Sequence, residues 1–260
     1  MEVHAHSHTA RKKFSHYLWE FLMLFLAVFC GFLAENIREH RVEKARANEL
    51  AKSFYEELRN DSATAVIKMD SRIKQEKALK YLVAYFKDSN LSKVPKEFAI
   101  NFEYGINFRT PTMFEPRTII LEQLKNSGSL RYFRNDELQK LIGDLTVSIK
   151  TIYDRQDLES RNRLDYLNPL IIAYYDYDFD TWLKRDNQSV FEGIQKYEAS
   201  NETVPYIVKK AEKADRENIV NVLSFYSANV ISSTRVTFIK KYMEINAALL
   251  KELREEYHLE

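Results

Sequence analysis

The feature that most constrains this chain is an uninterrupted apolar run near its N-terminus. Residues 21–34 read FLMLFLAVFCGFLA, fourteen residues without a charge. Tyr17, Leu18 and Trp19 extend the run to eighteen residues, with Glu20 as the one charge inside it. A helix needs about 20 predominantly apolar residues to span a bilayer core, with a lower limit near 17. The run therefore predicts a transmembrane helix over residues 17–34.

Neither a buried core helix nor a cleaved signal peptide fits this run as well. A buried core helix of a soluble protein keeps its apolar residues on one stripe, whereas here they cover every face. A cleaved signal peptide needs small residues after its apolar core, and residues 34–37, Ala-Glu-Asn-Ile, are a poor cleavage site. We therefore predict a permanent single-pass anchor. Its membrane-contacting residues are predicted to include aromatic residues near its N-terminal end and a small-residue pair that lets helices approach, namely Tyr17, Trp19, Phe21, Ala27 and Gly31.

The charges on either side of the run bear on its orientation. Basic residues precede it at positions 11–13, and those that follow it closely are Arg38, Arg41, Lys44 and Arg46. A bare count of Lys and Arg places the larger part of the chain in the cytoplasm. However, the following segment interleaves acids that nearly cancel its charge, namely Glu35, Glu39, Glu43 and Glu49. We therefore predict a bacterial inner-membrane protein with a periplasmic soluble domain.

The rest of the chain is predicted to be helical. Gly and Pro number only 5 each in 260 residues, so few tight turns are available for a many-stranded sheet. One Cys excludes an intramolecular disulfide. The predicted fold is all-α: a single N-terminal transmembrane helix that continues into an antiparallel helical bundle with long helices. The predicted domains are a His-containing basic tail (1–16), the transmembrane helix (17–34) and the soluble bundle (35–260).

The spacing of apolar residues predicts where the long helices run. From residue 37 to residue 87, steps of three and four predict a helix with a stripe that includes Met69 and Ile73. Residues 101–113 are predicted to be loop-rich, as a short strand or an extended arm, and Pro116 is predicted to open the next helix. Gly128 is expected to stop that helix, and Asn135 or Asp136 to cap the following one.

The second half of the chain is predicted to contain two more long helical stretches. The helix capped at Asn135 or Asp136 is expected to continue to about Leu167, where Pro169 kinks or ends it. A final helix is expected over about 214–256, with a buried stripe that includes Val230, Val236, Ile239, Met243, Leu250 and Leu253.

The charge balance and the motifs bear on function mainly by exclusion. The formal net charge is +1, and residues 35–260 carry equal numbers of basic and acidic residues, so we expect no nucleic-acid partner. The sequence lacks the nucleophile elbow, the phosphate-binding loops and the zinc-protease motif. We therefore expect no enzyme activity and no cofactor. An enzyme that uses a pair of acidic residues remains an alternative.

Two short segments are candidate binding sites. One is a turn between helices that presents backbone amides and cations to an anion. Its candidate binding residues are Lys125, Ser127, Gly128, Ser129, Arg131 and Arg134. A glycine-stopped helix followed by a capped one accounts for the same residues without a ligand. The second segment is the tail, where His4, His6 and His8 alternate and so predict, as an alternative function, the binding of one zinc, copper or nickel ion.

Two stretches of the chain resemble a family of bacterial proteins. The first stretch is residues 17–41, YLWEFLMLFLAVFCGFLAENIREHR. It contains an acid just inside an apolar span, then a Gly and a polar segment that leads into a helix. Residues 119–145 contain the run LKNSGSLR followed by NDEL. Both resemble an uncharacterised group of single-pass membrane proteins that is widespread in Bacteroidota. The resemblance implies topology and a helical fold, and it implies no activity.

These observations together predict a binding or scaffolding role. We expect a membrane-tethered helical module of the bacterial cell envelope that contacts the lipid bilayer. Its further partner is expected to be an envelope protein or a second copy of the chain.

Overall fold

The computed structural model describes residues 14–259, which are almost entirely helical and contain no β-strand. The chain divides into two compact units, Met1–Leu50 and Ala51–Glu260. The all-α prediction, with an apolar N-terminal helix that continues into a helical bundle, is confirmed.

The described part of the first unit is one helix. Helix α1 begins at Phe14 and runs to Asp88, so it continues into the second unit without a break. Every residue from 14 to 42 is exposed. The rings of Phe21, Phe25 and Phe29 stack along one face, with centroids 6.4 and 5.9 Å apart. This helix contains an apolar window of mean hydropathy 2.0 with none of it buried, and it is long and apolar enough to cross a membrane.

The second unit is a bundle of long and short helices joined by irregular turns. Its α-helices after α1 are α2 (Lys96–Phe102), α3 (Ile119–Asn126), α4 (Asp136–Asn162), α5 (Asn168–Tyr174), α6 (Tyr177–Leu183), α7 (Val190–Ala199), α8 (Arg216–Phe225) and α9 (Lys240–Tyr257). Wider π turns extend several of them, at Glu103–Asn107, Arg163–Leu167, Tyr226–Ser232 and Thr234–Ile239. Short 3₁₀ turns lie at Thr110–Thr112, Ser129–Tyr132, Arg185–Asn187 and Ala211–Lys213.

Polar side chains define where several of these helices begin. Asn135 caps α4, because its side chain accepts hydrogen bonds from the backbone N–H groups of Glu137 and Leu138. Ser189 and Glu192 form a reciprocal capping box at the start of α7. Asp215 caps α8 by accepting a hydrogen bond from the backbone N–H of Asn218. The predicted cap at residue 135 is therefore confirmed.

Helix α9 runs antiparallel to both α1 and α4. Against α1, Arg254 donates to the Tyr55 hydroxyl at 2.7 Å and Arg235, in the π turn before α9, pairs with Glu76 at 2.8 Å. Against α4, the amide of Asn135 contacts Glu256 at 3.4 Å, whereas Arg155 lies beside the 234–239 turn. Residues near the start of α1 or α4 therefore contact the end of the α9 region, and later residues contact its start, as an antiparallel bundle requires.

The π turns shift the buried face of the last helical stretch. Of the predicted stripe, Val230, Ile239 and Leu253 are buried, but Val236 is exposed and both Met243 and Leu250 are half-buried. The buried positions of α9 are Tyr242, Ile245, Asn246, Leu249 and Leu253. A π turn inserts an extra residue and rotates the following face by about 100°. A constant helical period therefore predicts only part of the buried face after residue 226.

The structure corrects three expected helix boundaries. Residues 96–107 are helical, so the predicted loop-rich segment begins only at Phe108. Pro116 does not open α3, which begins at Ile119 after an extended segment. Pro169 does not end the preceding helical stretch, because that stretch continues through the π turn Arg163–Leu167 directly into α5, and Pro169 lies in the first turn of α5.

A cluster of aromatic rings forms the core at one end of the bundle. Phe98 and Phe102 of α2 pack against Tyr206, with ring centroids 5.8 and 6.0 Å from it. Phe179 of α6 contacts the same tyrosine at 5.3 Å and Tyr197 of α7 at 5.4 Å. Such ring pairs add stability beyond the burial of apolar area, so this cluster fixes α2, α6 and α7 together.

Two glycines on different helices provide a matched test of this packing. A Cβ built on Gly193 of α7 would lie 2.2 Å from the carbonyl oxygen of Leu183, whereas one built on Gly143 of α4 meets nothing within 4 Å. We expect Gly193→Ala to destabilise the bundle by about 1–3 kcal/mol or more. Gly143→Ala should stabilise it by about 0.5–1 kcal/mol, because Ala loses less backbone entropy in a helix.

Thermal unfolding of the full chain, followed by circular dichroism, measures both effects. Equal shifts in Tm for the two variants would contradict the close approach of α7 to Leu183.

Candidate functional site

The turn predicted to bind an anion is an ordered connection between α3 and α4. Helix α3 ends at Asn126, Ser127 follows it as the C-cap, and Gly128 adopts φ +68 in the left-handed region that favours glycine. The 3₁₀ turn Ser129–Tyr132 and Asn135 then lead into α4. The predicted helix stop at Gly128 is therefore confirmed.

The polar groups of this turn mostly bond to one another. The hydroxyls of Ser127 and Ser129 lie 2.6 Å apart, and Lys125 pairs with Glu122 at 3.0 Å. The guanidinium of Arg131 lies over the ring of Tyr132, 5.2 Å from its centroid. The six candidate residues thus share one exposed turn, but their bonds are those of a helix stop, and anion binding at this turn stays a prediction.

The predicted membrane-contacting residues are all exposed on α1. Tyr17, Trp19 and Phe21 expose between 55 and 64 % of their surface. Ala27 is exposed as well, and a Cβ on Gly31 would meet nothing within 4 Å. No group within the described residues covers this part of the helix, which leaves its apolar surface open along its whole length.

The candidate metal ligands His4, His6 and His8 lie outside the described residues. Within residues 14–259, no group of three or more His, Cys, Asp or Glu side chains is placed to hold a metal ion. The metal hypothesis therefore stays a prediction about the tail.

A buried ion pair that the sequence analysis missed joins α1 to α4. Arg72 of α1 is fully buried, and its Nη1 and Nη2 donate to the two carboxylate oxygens of Glu159, each at 3.0 Å. Its Nε donates to the carbonyl oxygen of Thr112, also at 3.0 Å. All three guanidinium nitrogens are therefore bonded, as a buried charge requires.

The same pair extends to the π turn before α9. The hydroxyl of Thr234 donates to Glu159 and accepts a hydrogen bond from Nε of Arg155 at 3.0 Å. Arg155 also donates to the carbonyl oxygen of Asn229. One carboxylate thus connects α1, α4 and the turn Thr234–Ile239. Arg72 lies seven residues from both Ala65 and Leu79, so strict heptad spacing would have placed it in the core.

A second buried acid lies in the π turn after α2. Glu103 is fully buried, and it accepts hydrogen bonds from the hydroxyl of Tyr175 and from Nδ2 of Asn107, the latter at 2.7 Å. Burial raises the pKa of Glu103 to about 7, against the lowering effect of these two donors. The carboxyl of Asp180 raises this pKa further and the Lys184 ammonium lowers it. Glu103 has no contact with solvent, and its hydrogen bonds join the π turn after α2 to Tyr175.

Asp61 on α1 is a third buried acid. Its Oδ2 accepts hydrogen bonds from the backbone N–H of Arg117 at 2.8 Å and from the hydroxyl of Tyr242 at 3.3 Å. Burial raises the pKa of Asp61 to about 6, and the nearby carboxyl of Glu57 adds to the rise. Asp61 therefore joins α1 to α9 and to the segment before α3.

A surface groove of about 270 Å³ runs between α4 and the start of α9. Val147 on α4, Phe238 and Ile245 provide its apolar part. Asp144 and Lys241 provide one charge of each sign. Val147 exposes 65 % of its surface, so this face has an apolar strip that the described residues leave uncovered.

Comparison with known proteins gives no relative: no protein-family model, no curated protein and no solved structure matches this chain.

The buried acids give the bundle a pH-dependent stability. The folded pKa of Glu103, about 7, lies above its usual value of 4.5, so folding favours the protonated form. This stabilisation is present below about pH 4.5 and is lost as the pH rises through 7. Glu103 alone is expected to lower the free energy of unfolding by about 3 kcal/mol between pH 4.5 and 8.

The variant Glu103→Gln tests this directly. We expect it to have a shallower fall in Tm between pH 5 and 8 than the unchanged chain and to be the more stable of the two at pH 8. Glu122→Gln is the matched control, because Glu122 is exposed and its pKa is lowered by Lys125. Thermal unfolding of both variants across this range is the measurement, and an unchanged slope in Glu103→Gln would show that Glu103 does not titrate there.

Proposed function

We propose that this chain is a single-pass membrane protein whose helical bundle binds or scaffolds a partner protein at the bacterial cell envelope, without catalysis. One observation carries the proposal: residues 14–42 form a helix of which every residue is exposed, and this helix contains an apolar window long enough to cross a membrane.

The energetics of the exposed helix support the anchor. Moving one exposed Leu or Phe side chain from water into an apolar environment contributes about 1.5–3 kcal/mol. Large side chains that are at least half exposed include Phe21, Met23, Leu24, Phe25, Val28 and Phe32. Lipid supplies that apolar environment, whereas the described residues of the chain do not. The lipid bilayer is therefore the first partner we propose.

We propose that the bundle lies in the periplasm and the tail in the cytoplasm. The tail carries basic residues at positions 11–13. On the other side of the apolar run, the guanidinium of Arg38 pairs with the carboxylate of Glu35 through Nε at 2.9 Å and through Nη2. This pair offsets the charge of the first basic residue after the run, and the proposed orientation rests on this local charge balance.

We propose that the partner binds in the groove between α4 and α9. The groove combines an apolar floor with Asp144 and Lys241, so it is complementary to a helix whose apolar side chains are flanked by one basic and one acidic residue. Val147 is positioned to be its main apolar contact. The balanced charge of the bundle predicts no attraction for nucleic acid.

The anchor is tested by placing charges in the middle of the apolar run. The double variant Leu24→Lys/Val28→Lys adds two charges near the bilayer centre, each of which costs about 2.5–3.5 kcal/mol. We expect this variant to be released from membranes washed with alkaline carbonate, whereas the unchanged chain stays bound. The matched control is Ile37→Lys/Val42→Lys, which adds the same charges to exposed positions outside the run.

Cysteine labelling in intact cells tests the orientation of the bundle. Cys30 is the one cysteine of the chain, so Cys30→Ala provides a background for the exposed sites Lys150→Cys and Lys251→Cys. A maleimide that crosses only the outer membrane should label both sites in intact cells. Labelling only after the inner membrane is broken would place the bundle in the cytoplasm.

The partner is tested by photocrosslinking in intact membranes. A benzoylphenylalanine at position 147 should give one reproducible adduct with an envelope protein, and the same group at position 207, an exposed isoleucine outside the groove, should not. The adduct should decrease with Lys241→Glu in the groove and persist with Lys251→Glu outside it. An adduct between two copies of this chain would contradict a separate partner, as would equal adducts at both positions.

A further inference from the structure

The hydroxyl of Tyr175 lies between two carboxyl groups from different elements of the bundle. Tyr175 is the C-cap of α5 and is buried. Its Oη contacts Oε1 of Glu103, in the π turn after α2, and lies 3.2 Å from Oδ1 of Asp180 in α6. It also accepts a hydrogen bond from Nδ2 of Asn107 at 3.3 Å. One phenol oxygen therefore connects the π turn to α6.

The number of protons in this cluster decides how many of its contacts are hydrogen bonds. A phenol has one proton to donate and two lone pairs that accept. If both carboxyls are ionised, Tyr175 donates to one of them, and the other faces the phenol oxygen without a proton between them. If one carboxyl carries a proton, it donates to Tyr175 and Tyr175 donates to the other, so that every contact is a hydrogen bond. The arrangement around Tyr175 therefore fits a cluster with one extra proton.

Burial favours Glu103 over Asp180 as the holder of this proton. Glu103 is fully buried, whereas the side chain of Asp180 is partly exposed and pairs with the Lys184 ammonium at 2.6 Å. A charge is costly in the interior unless it is paired, so the ionised carboxyl is the one beside Lys184. Burial accordingly raises the pKa of Glu103 to about 7.

Charged groups from α6 and α4 face this cluster or its backbone. From α6, the carboxyl of Asp180 raises the pKa of Glu103 and the ammonium of Lys184 lowers it. Arg163, the C-cap of α4, donates to two carbonyl oxygens of the π turn at 2.5 and 2.6 Å. Because both charges that act on the Glu103 carboxyl lie on α6, the protonation of Glu103 and the position of α6 depend on each other.

The remaining groups around Glu103 are neutral. Tyrosine hydroxyls face it from its own π turn, from the end of α5 and from the extended segment before α8, and burial raises the pKa of all three, namely Tyr104, Tyr175 and Tyr206. From α1, the amide of Gln75 donates to the carbonyl oxygen of Gly105 at 3.3 Å. The tyrosines therefore stay protonated while Glu103 titrates.

We propose that Glu103, Tyr175 and Asp180 form a proton-dependent latch that holds α6 on the bundle at acidic pH and releases it as the pH rises. In the closed latch, Glu103 donates to Tyr175 and Tyr175 donates to Asp180. On opening, Tyr175 passes its proton to Asp180 and takes the proton of Glu103, and Asp180 then loses a proton to water. Tyr175 now donates to the ionised Glu103, and the Asp180 carboxylate faces the phenol oxygen without a hydrogen bond.

The contacts of α6 determine what its release exposes. Asp176 caps α6 and accepts a hydrogen bond from the backbone N–H of Ile207 at 2.8 Å, so the first turn stays attached. In the second turn, the half-buried ring of Trp182 packs against Tyr197 of α7, with centroids 5.1 Å apart. Loss of the Asp180 contact weakens the attachment of this second turn and increases the exposure of Trp182 to water.

The fluorescence of Trp182 measures the opening. The chain has two tryptophans, so Trp19→Phe leaves Trp182 as the single emitter of the full chain in phosphatidylcholine vesicles. We expect its emission to shift to longer wavelength between pH 5.5 and 8.5, with a midpoint near pH 7, where Glu103 titrates. Hydrogen-exchange protection of residues 177–183, corrected for the intrinsic effect of pH, should fall by at least about tenfold over this range, while α4 keeps its protection.

Two carboxamide variants should keep the latch closed at every pH. In Glu103→Gln, the amide donates to Tyr175 as the protonated acid does. In Asp180→Asn, the amide donates to Tyr175 while Tyr175 donates to the ionised Glu103. Both variants should therefore remove the shift in Trp182 emission. Asp178→Asn is the matched control, because Asp178 lies on the same helix with its side chain 93 % exposed, and it should leave the shift unchanged.

A pair of tyrosine variants tests the link itself. Tyr175→Phe removes the hydroxyl between the two carboxyls, so Trp182 should emit at the longer wavelength at both ends of the pH range. Tyr177→Phe removes the hydroxyl of a tyrosine that is 55 % exposed, and it should behave as the unchanged chain does. If Tyr175→Phe does not fold, the comparison of Asp180→Asn with Asp178→Asn decides the same question.

Three results would overturn the proposal. A shift that persists in Glu103→Gln with the same midpoint would assign the pH dependence to another group. Equal effects of Asp178→Asn and Asp180→Asn would show that the contact with Tyr175 is not the link. Equal loss of protection in α4 and α6 would show that the whole bundle unfolds. None of these results bears on carbonate extraction or on the adduct at position 147, so the proposed function fails or stands separately.

Discussion

The buried pair of Arg72 and Glu159 is the interaction on which the arrangement of the long helices depends. It joins α1 to α4 directly, and Thr234 brings the turn before α9 to the same carboxylate. Removing one partner of a buried pair costs about 3–5 kcal/mol, because the other charge stays buried without compensation. Apolar side chains can pack in several registers, whereas the two hydrogen bonds of this one bidentate pair fit one register only. This pair therefore specifies how the long helices align.

Local chemistry made much of the fold predictable. The charge-free run, the cap at Asn135 and the stop at Gly128 each depend on a few adjacent residues, and the structure has all three helical features where the sequence places them. The register of the last helical stretch was predictable only in part, because two π turns between residues 226 and 239 rotate the helix face. A π turn depends on tertiary contacts, such as those of Thr234 with Glu159 and Arg155, that a periodicity does not contain.

The candidate sites likewise divide into those that the local sequence predicts and those that only the folded structure shows. The turn at residues 125–134 was recognisable from its sequence, but its side-chain bonds to Glu122 and between the two serines require the folded geometry. The buried charges were missed because the search for a stripe on α1 selected Met69 and Ile73 over Asp61 and Arg72. A charged residue at the spacing of a buried apolar stripe indicates a buried polar interaction, since a buried charge requires a partner elsewhere in the chain. The contacts of the Tyr175 hydroxyl join residues 103 and 180 and have no local sequence signal.

The two parts of helix α1 are stabilised by different means. From Ala51 onward, its buried face is stabilised by other parts of the same chain, through Asp61, Arg72 and the apolar residues between them. From residue 14 to residue 42 no described side chain is buried, although the sequence there is the most apolar of the whole protein. Apolar surface of this extent is unfavourable in water. The described residues do not stabilise this surface, and a charge-free run of this length is suited to the hydrocarbon of a bilayer, where a helix satisfies every backbone hydrogen bond internally.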